Sequence, residues 1–157
     1  MNVWRLITHW QNPLVMLDWA VREGRLAVGW GNIGNIVAAG YNTAQDITKA
    51  IQNNYPGGNN AGSGGPTLYH FCYEVKQGDL VILSTGRKRE SVMKVTSDYE
   101  FNNHQVEQFI GDYFHQRNSQ TIDIDPNKLR KMAGGAPVCG HNIRWAFIKC
   151  QLPIDHL

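Results

Sequence analysis

The stretch that most restricts the fold is residues 78–101, GDLVILSTGRKRESVMKVTSDYEF. A Gly-Asp turn leads into Leu80-Val81-Ile82-Leu83-Ser84, the most strand-like run in the chain, and a basic tip at residues 86–89 reverses the direction. Residues 91–101 then return as a second, long strand. No regular alternation of strand and helix surrounds this hairpin, which argues for a mixed, mostly antiparallel sheet or small barrel decorated by helices.

The rest of the chain fits around that hairpin. Residues 2–8, NVWRLIT, alternate apolar and polar and read as a first strand. Pro13 opens a helix with Leu14, Leu17, Asp18 and Val21 in its pattern, and Gly24 ends it. Residues 26–30, LAVGW, read as a short buried strand running into the turn Gly31-Asn32-Ile33-Gly34. Thr43 caps a second helix over 44–53, with Asp46 at its third position and Ile47 and Ile51 on one face; Tyr55-Pro56 stops it. Residues 56–66, PGGNNAGSGGP, read as a flexible Gly/Asn-rich loop, and a third helix over 67–75 follows with Leu68, Phe71, Cys72 and Val75 inward. Short strands are expected at 113–118 and 121–124. Asp125 caps a helix over 127–132 with Pro126 at its first position, residues 134–140 form a loop, and 143–150 make the last strand. The expectation is a single α+β domain over residues 1–157: a small twisted, mostly antiparallel β-barrel with three to four short flanking helices.

Charge and cysteines narrow the function classes. Fifteen Lys and Arg against thirteen Asp and Glu leave a net charge of +2, too little to coat nucleic acid by bulk charge but compatible with a local basic groove. The three cysteines, Cys72, Cys139 and Cys150, are far apart, which disfavours a disulfide framework or a structural zinc and fits a cytoplasmic setting. No apolar run approaches the ~20 residues of a membrane span, and residues 1–10 lack a signal-peptide pattern. Sixteen Gly and fourteen Asn stand beside five Trp and six Tyr, a composition that presents rings from irregular backbone.

The candidate functional residues fall in three places. In residues 29–34, GWGNIG, Trp30 reads either as a stacking surface beside a ligand or as a core ring at a tight turn; the segment lacks the lysine and hydroxyl of a phosphate-binding loop. Arg87, Lys88 and Arg89 at the hairpin tip read as phosphate contacts or as a solvated end, and Tyr99 as a pocket wall or a core ring. His115 and Arg117 share a face of their strand, turned toward a ligand or lying on the surface. No metal-binding spacing occurs among the six His. Cys139 with His141, and Asp123 and Asp125 with Lys128, are the local catalytic candidates; none specifies a reaction, and no cofactor is called for.

The order of these features resembles the PUA-like superfamily, in the branch that holds the EVE and YTH modified-base readers. The runs Val28-Gly29-Trp30-Gly31-Asn32-Ile33-Gly34, Asp46-Ile47, Tyr55-Pro56, Gly78-Asp79-Leu80-Val81, Val95-Thr96-Ser97-Asp98-Tyr99-Glu100 and His115-Gln116-Arg117 are similar to EVE-like domains at the N-termini of modification-dependent restriction proteins, over residues 3–150. The resemblance implies a non-catalytic module that flips a modified, methylated base into an aromatic pocket, in DNA rather than RNA, beside a nuclease or NTPase partner or fused domain. It implies pocket roles for Trp30, Asn32, Thr8, His9, Trp10, Asp98 and Tyr99, and nucleic-acid backbone contacts from Arg87, Lys88, Arg89, His115 and Arg117. The second cage wall is open between Trp10, Tyr99 and Phe101. Residues 118–120, NSQ, depart from the hydrophobic-Trp continuation that often follows the family's HxR motif. The competing reading is a small enzyme or small-molecule binder on the same barrel, or a protein-interaction domain.

Overall fold

The computed structural model describes residues 1–57, 60–85, 88–102, 111–135 and 146–157. Among these residues seven strands and four helices form an α+β fold: β1 (Val3–Ile7), α1 (Pro13–Glu23), β2 (Arg25–Val28), α2 (Ala44–Asn54), α3 (Ala61–Tyr69), β3 (Leu80–Ser84), β4 (Arg89–Val95), β5 (Glu100–Phe101), β6 (His115–Ile122), α4 (Pro126–Met132) and β7 (Phe147–Lys149). A 3₁₀ turn, Gly31–Ile33, follows β2, and a π-helical turn, His70–Glu74, extends α3.

The sheet runs in the order β2-β6-β4-β3-β1-β7, with β5 also paired to β6. Among the described residues every strand pair but β1–β3 is antiparallel. Among the described residues the sheet curls into a half-barrel whose outermost strands are β2 and β7. β3 is buried along its whole length because both faces are covered. Val81 and Leu83 join Trp4, Leu6, Trp19, Ile47, Ile51 and Phe71 in the core beneath α1, α2 and α3. Leu80 and Ile82 point the other way, onto Val3, Val92, Leu129 and Ala133 under α4. A strand sandwiched in this way carries an unbroken apolar run rather than an alternating one.

Two side chains tie the elements together. Asp79 is buried and accepts the Asn2 and Lys76 N–H groups and the Trp4 indole N–H at 3.0–3.1 Å, fixing the entry of β3 to the start of β1. Arg117, 2% exposed, donates to the carbonyls of Phe71, Cys72 and Ser97 at 2.8–3.1 Å. The first two belong to the last turn of the π-helical extension, where carbonyls have no partner in the helix, so a buried cation there satisfies them and complements the helix dipole.

Several expectations need correction. Residues 61–66 are the first two turns of α3, not a loop. Gly65 comes so close to α2 that a Cβ would lie 1.9 Å from Thr48 Oγ1 and 2.6 Å from the Ala44 carbonyl, so the glycines there serve helix-to-helix approach. The long return strand breaks into β4 and β5 at residues 96–99, where the Asn118 N–H donates to Ser97 Oγ and the Thr96 N–H to the Asn118 carbonyl. The two strands expected at 113–118 and 121–124 are one, β6; its first half pairs with β2 and β5 and its second with β4. On α1 the buried face is Met16, Trp19 and Ala20, while Leu14 and Val21 are exposed. The last strand is confined to Phe147–Lys149 within the described residues. Thr43 and Asp125 cap their helices as expected: their side chains accept the N–H groups of Asp46, and of Asn127 and Lys128, respectively.

Candidate functional site

β1 and β2 both end beside a cavity of about 370 Å³, a size in the lower range of ligand sites. Leu6 and Ile7 of β1 and Ala27 and Val28 of β2 form its floor. Trp10, Trp30, Tyr55 and Tyr113 supply ring walls, and Asn60, Ser63 and Asp112 add polar groups. The rings come from four separate connections: the β1–α1 turn, the turn after β2, the C-cap of α2 and the residue two before β6.

Trp30 is held in an uncommon conformation. Its backbone lies in the left-handed region at φ 63°, ψ 34°, which disfavours a bulky side chain by roughly 1–2 kcal/mol. The surroundings hold it there. The His115 Nε2–H donates to the Trp30 carbonyl at 3.0 Å, and the Gly31 N–H donates to the Asp112 carbonyl at 2.9 Å. A Cβ on Gly31 would sit 2.2 Å from that carbonyl and 2.4 Å from the Phe114 ring, so only glycine fits at this crossing. On the far side the Trp30 indole packs on α3, where a Cβ on Gly64 would be 2.9 Å from it. The cavity wall is thus built from two glycine-rich segments that meet across one ring.

Behind Trp30 runs a closed polar chain. The Ile36 N–H donates to the Tyr99 hydroxyl at 3.2 Å, the hydroxyl donates to His115 Nδ1 at 2.7 Å, and His115 Nε2–H reaches the Trp30 carbonyl. His115 is wholly buried, and burial lowers its pKa from 6.5 to about 4, so the ring stays neutral near pH 7. Burial raises the phenol pKa of Tyr99, of Tyr113 and of Tyr55, the last with the added effect of its hydroxyl bond to Asp112; all three keep their protons.

The residues expected at the site divide into three groups. Trp30 and Trp10 line the cavity, Trp10 with 77% of its surface exposed at the rim. Thr8, His9 and Tyr99 support it from behind. The Thr8 hydroxyl donates to the Pro13 carbonyl at 2.7 Å, and His9 Nδ1 accepts the N–H groups of Gln11 and Asn12 while its ring stacks on Tyr113 at 4.7 Å. Asn32 and Asp98 are exposed and outside the lining; the Asn32 N–H donates to the Tyr55 hydroxyl, and Asp98 accepts from Gln77. Phe101 is not in the lining either and packs edge-on to Phe114.

The phosphate-contacting set also divides. His115 and Arg117 are corrected to interior residues: their polar atoms are spent on Trp30, Tyr99 and the end of the π-helical turn, so a phosphate would have to displace core contacts to reach them. Lys88 is exposed and Arg89 half-buried, its Nε donating to Asn127. The Thr8 N–H donates to the Ser84 carbonyl, which puts this hairpin end beside the turn that carries Trp10. Arg87, Cys139 and His141 lie outside the described residues. Tyr55, Tyr113 and Asp112 are the site residues that sequence reasoning missed. Tyr55 was read with Pro56 as a helix stop and Tyr113 as the start of a strand, while Asp112 carried no signal of its own.

Among the described residues no group of three His, Cys, Asp or Glu is placed to hold a metal ion, and no helix is long and apolar enough to cross a membrane. Fold and cavity define an α+β half-barrel domain with an aromatic, ligand-sized recess at one end of its sheet. The chain belongs to the family DUF8426, a domain of unknown function, whose family model matches residues 4–130. No curated protein matches it.

Proposed function

We propose that this domain is a non-catalytic reader of the PUA-like, EVE-related kind that takes one flipped, modified base, in DNA rather than RNA, into the cavity walled by Trp30, Trp10, Tyr55 and Tyr113. The observation that carries the reading is this set of four rings around one recess, with the exposed end of a basic hairpin beside it. The energetics are sufficient. Flipping a base opposes binding by a few kcal/mol. Stacking on an aromatic side chain returns about 1–3 kcal/mol per base, and a methyl group buried among rings adds about 0.8 kcal/mol. Lys88 and Arg89, with Arg87, contact flanking phosphates. A nuclease or NTPase, fused or separate, supplies the chemistry in a restriction or defence setting.

The test is fluorescence anisotropy with oligonucleotides that differ only in one base: unmodified, 5-methylcytosine, 5-hydroxymethylcytosine and N6-methyladenine, as DNA and as RNA, at two salt concentrations. The expected result is a preference of tenfold or more, about 1.4 kcal/mol, for one modified base. Trp30→Ala abolishes it. Trp30→Gly removes the ring while relieving the left-handed backbone, and so keeps the fold while losing binding. The salt slope corresponds to about two to four phosphates. Equal, weak binding across the panel overturns the reading.

A further inference from the structure

Resting on that reading, we infer that Asp112 is the residue that selects the base: the cavity takes one that presents an exocyclic amine, as cytosine and adenine do, and rejects a keto base such as thymine.

Two hydroxyl groups of the recess are already committed. The Tyr55 hydroxyl gives its proton to Asp112 Oδ2 and accepts the Asn32 N–H, so it has no donor left for a ligand. Ser63 Oγ donates to the Asn60 carbonyl. Asp112 lines the recess between Tyr55 and Tyr113, and among the described residues no donor is bonded to its Oδ1. The residue is also fixed in place, because its carbonyl accepts both the Gly31 N–H at 2.9 Å and the Phe114 N–H at 2.8 Å. A preplaced carboxylate oxygen beside stacking rings is an acceptor waiting for an N–H.

Base edges differ in just this respect. Cytosine N4 and adenine N6 are amines, whereas thymine O4 is an acceptor. 5-Methylcytosine and thymine share ring size and the 5-methyl group, so their stacking and methyl burial are nearly equal and the edge decides between them. A keto oxygen opposite Asp112 sets two acceptors against each other with no hydrogen between them, a repulsive element that rejects the wrong ligand.

The experiment uses purine-flanked oligonucleotides with a single test position, carrying 5-methylcytosine or thymine in one pair and N6-methyladenine or hypoxanthine in the other. Wild-type protein, Asp112→Asn and Trp30→Gly are compared, each checked for folding by thermal unfolding. For the pair that binds through Trp30, the amino base is expected to bind at least tenfold more tightly than its keto counterpart. Asp112→Asn, whose amide can also donate, brings that ratio to within about threefold. Trp30-dependent binding of thymine or hypoxanthine as tight as that of the amino base overturns the role of Asp112 and leaves the reader standing. The wild-type ratio alone decides this if Asp112→Asn does not fold. No Trp30-dependent binding to any of the four bases overturns the reader and this inference together. Trp30-dependent capture of a trimethyllysine peptide in their place does the same, reassigning the recess as a cage for a cation.

Discussion

Two glycine-rich segments meet at Trp30, and they use glycine for different reasons. The first, residues 29–34, is a turn whose glycines let backbone cross backbone: Gly31 lies under the Asp112 carbonyl, and Gly29 against the Tyr113 ring. The second, residues 57–65, ends in a helix whose glycines let α3 settle on α2 and on the Trp30 indole. In composition both look like loops, yet the residues that matter in each are ordered by close contact. Glycine here marks proximity more often than mobility.

Single Cβ additions separate the two segments. Gly31→Ala is expected to have the largest effect, about 3 kcal/mol or more of lost stability, because both obstacles, a carbonyl and a ring tied to β6, belong to rigid structure. Urea unfolding measures it; a loss under 1 kcal/mol would show that the crossing is loose.

A comparable effect comes from pH, through the polar chain behind the first segment. His115 is neutral when folded, with a pKa of about 4 against 6.5 unfolded. Its contribution is fully present above pH 6.5 and is lost as pH falls toward 4, because the unfolded chain takes up a proton that the folded one refuses. The total is about 3 kcal/mol. His115→Gln should flatten that part of the stability profile between pH 7 and 4; an unchanged slope would mean that the ring titrates normally.

In the second segment, Gly65→Ala is expected to lose about 2 kcal/mol, the clash with Thr48 and the Ala44 carbonyl exceeding the gain in helix propensity. Thr48→Ala restores only part of it, since the carbonyl remains. Gly64→Ala meets the terminal methyl of Ile51, which can rotate away, and the fused ring of Trp30, which must tilt as a whole. Stability should change by less than about 1 kcal/mol, while affinity for the bound base drops severalfold because the indole moves; unchanged affinity would separate Trp30 from ligand. Gly62→Ala meets nothing within 4 Å on an exposed helical turn. It should stabilise by about 0.5–1 kcal/mol and raise Tm by about 2–4 °C. A fall in Tm would argue that this stretch works as the loop its composition suggests.

Much of the fold was legible because its signals are local. Thr43 and Asp125 cap their helices, Pro13 and Gly24 bound α1, and the apolar run of β3 marks a buried strand, all through interactions within a few residues. The site was legible only where a residue's neighbourhood is its own segment. Trp30, between glycines, pointed to the cavity, but Tyr55, Asp112 and Tyr113 reach it from 25 and more than 80 residues away. Two chemically similar stretches show the limit most clearly. Arg87, Lys88 and Arg89 at the hairpin, and His115 and Arg117 on β6, all read as phosphate contacts; Lys88 is exposed, whereas His115 and Arg117 are buried with their polar atoms bonded to the Trp30 carbonyl, Tyr99 and the carbonyls of Phe71 and Cys72.

The sequence by itself therefore determined the type of most elements, their capping and the presence of a hairpin-centred α+β sheet, since these follow from backbone geometry and nearest-neighbour chemistry. Tertiary structure decided which face of α1 is buried, that residues 61–66 are helical and that Arg117 is an interior strut. It also decided that Trp30 shares a recess with three other rings and a carboxylate. Each of these depends on desolvation and steric fit between segments distant in the chain, a free-energy difference that no short stretch of residues contains.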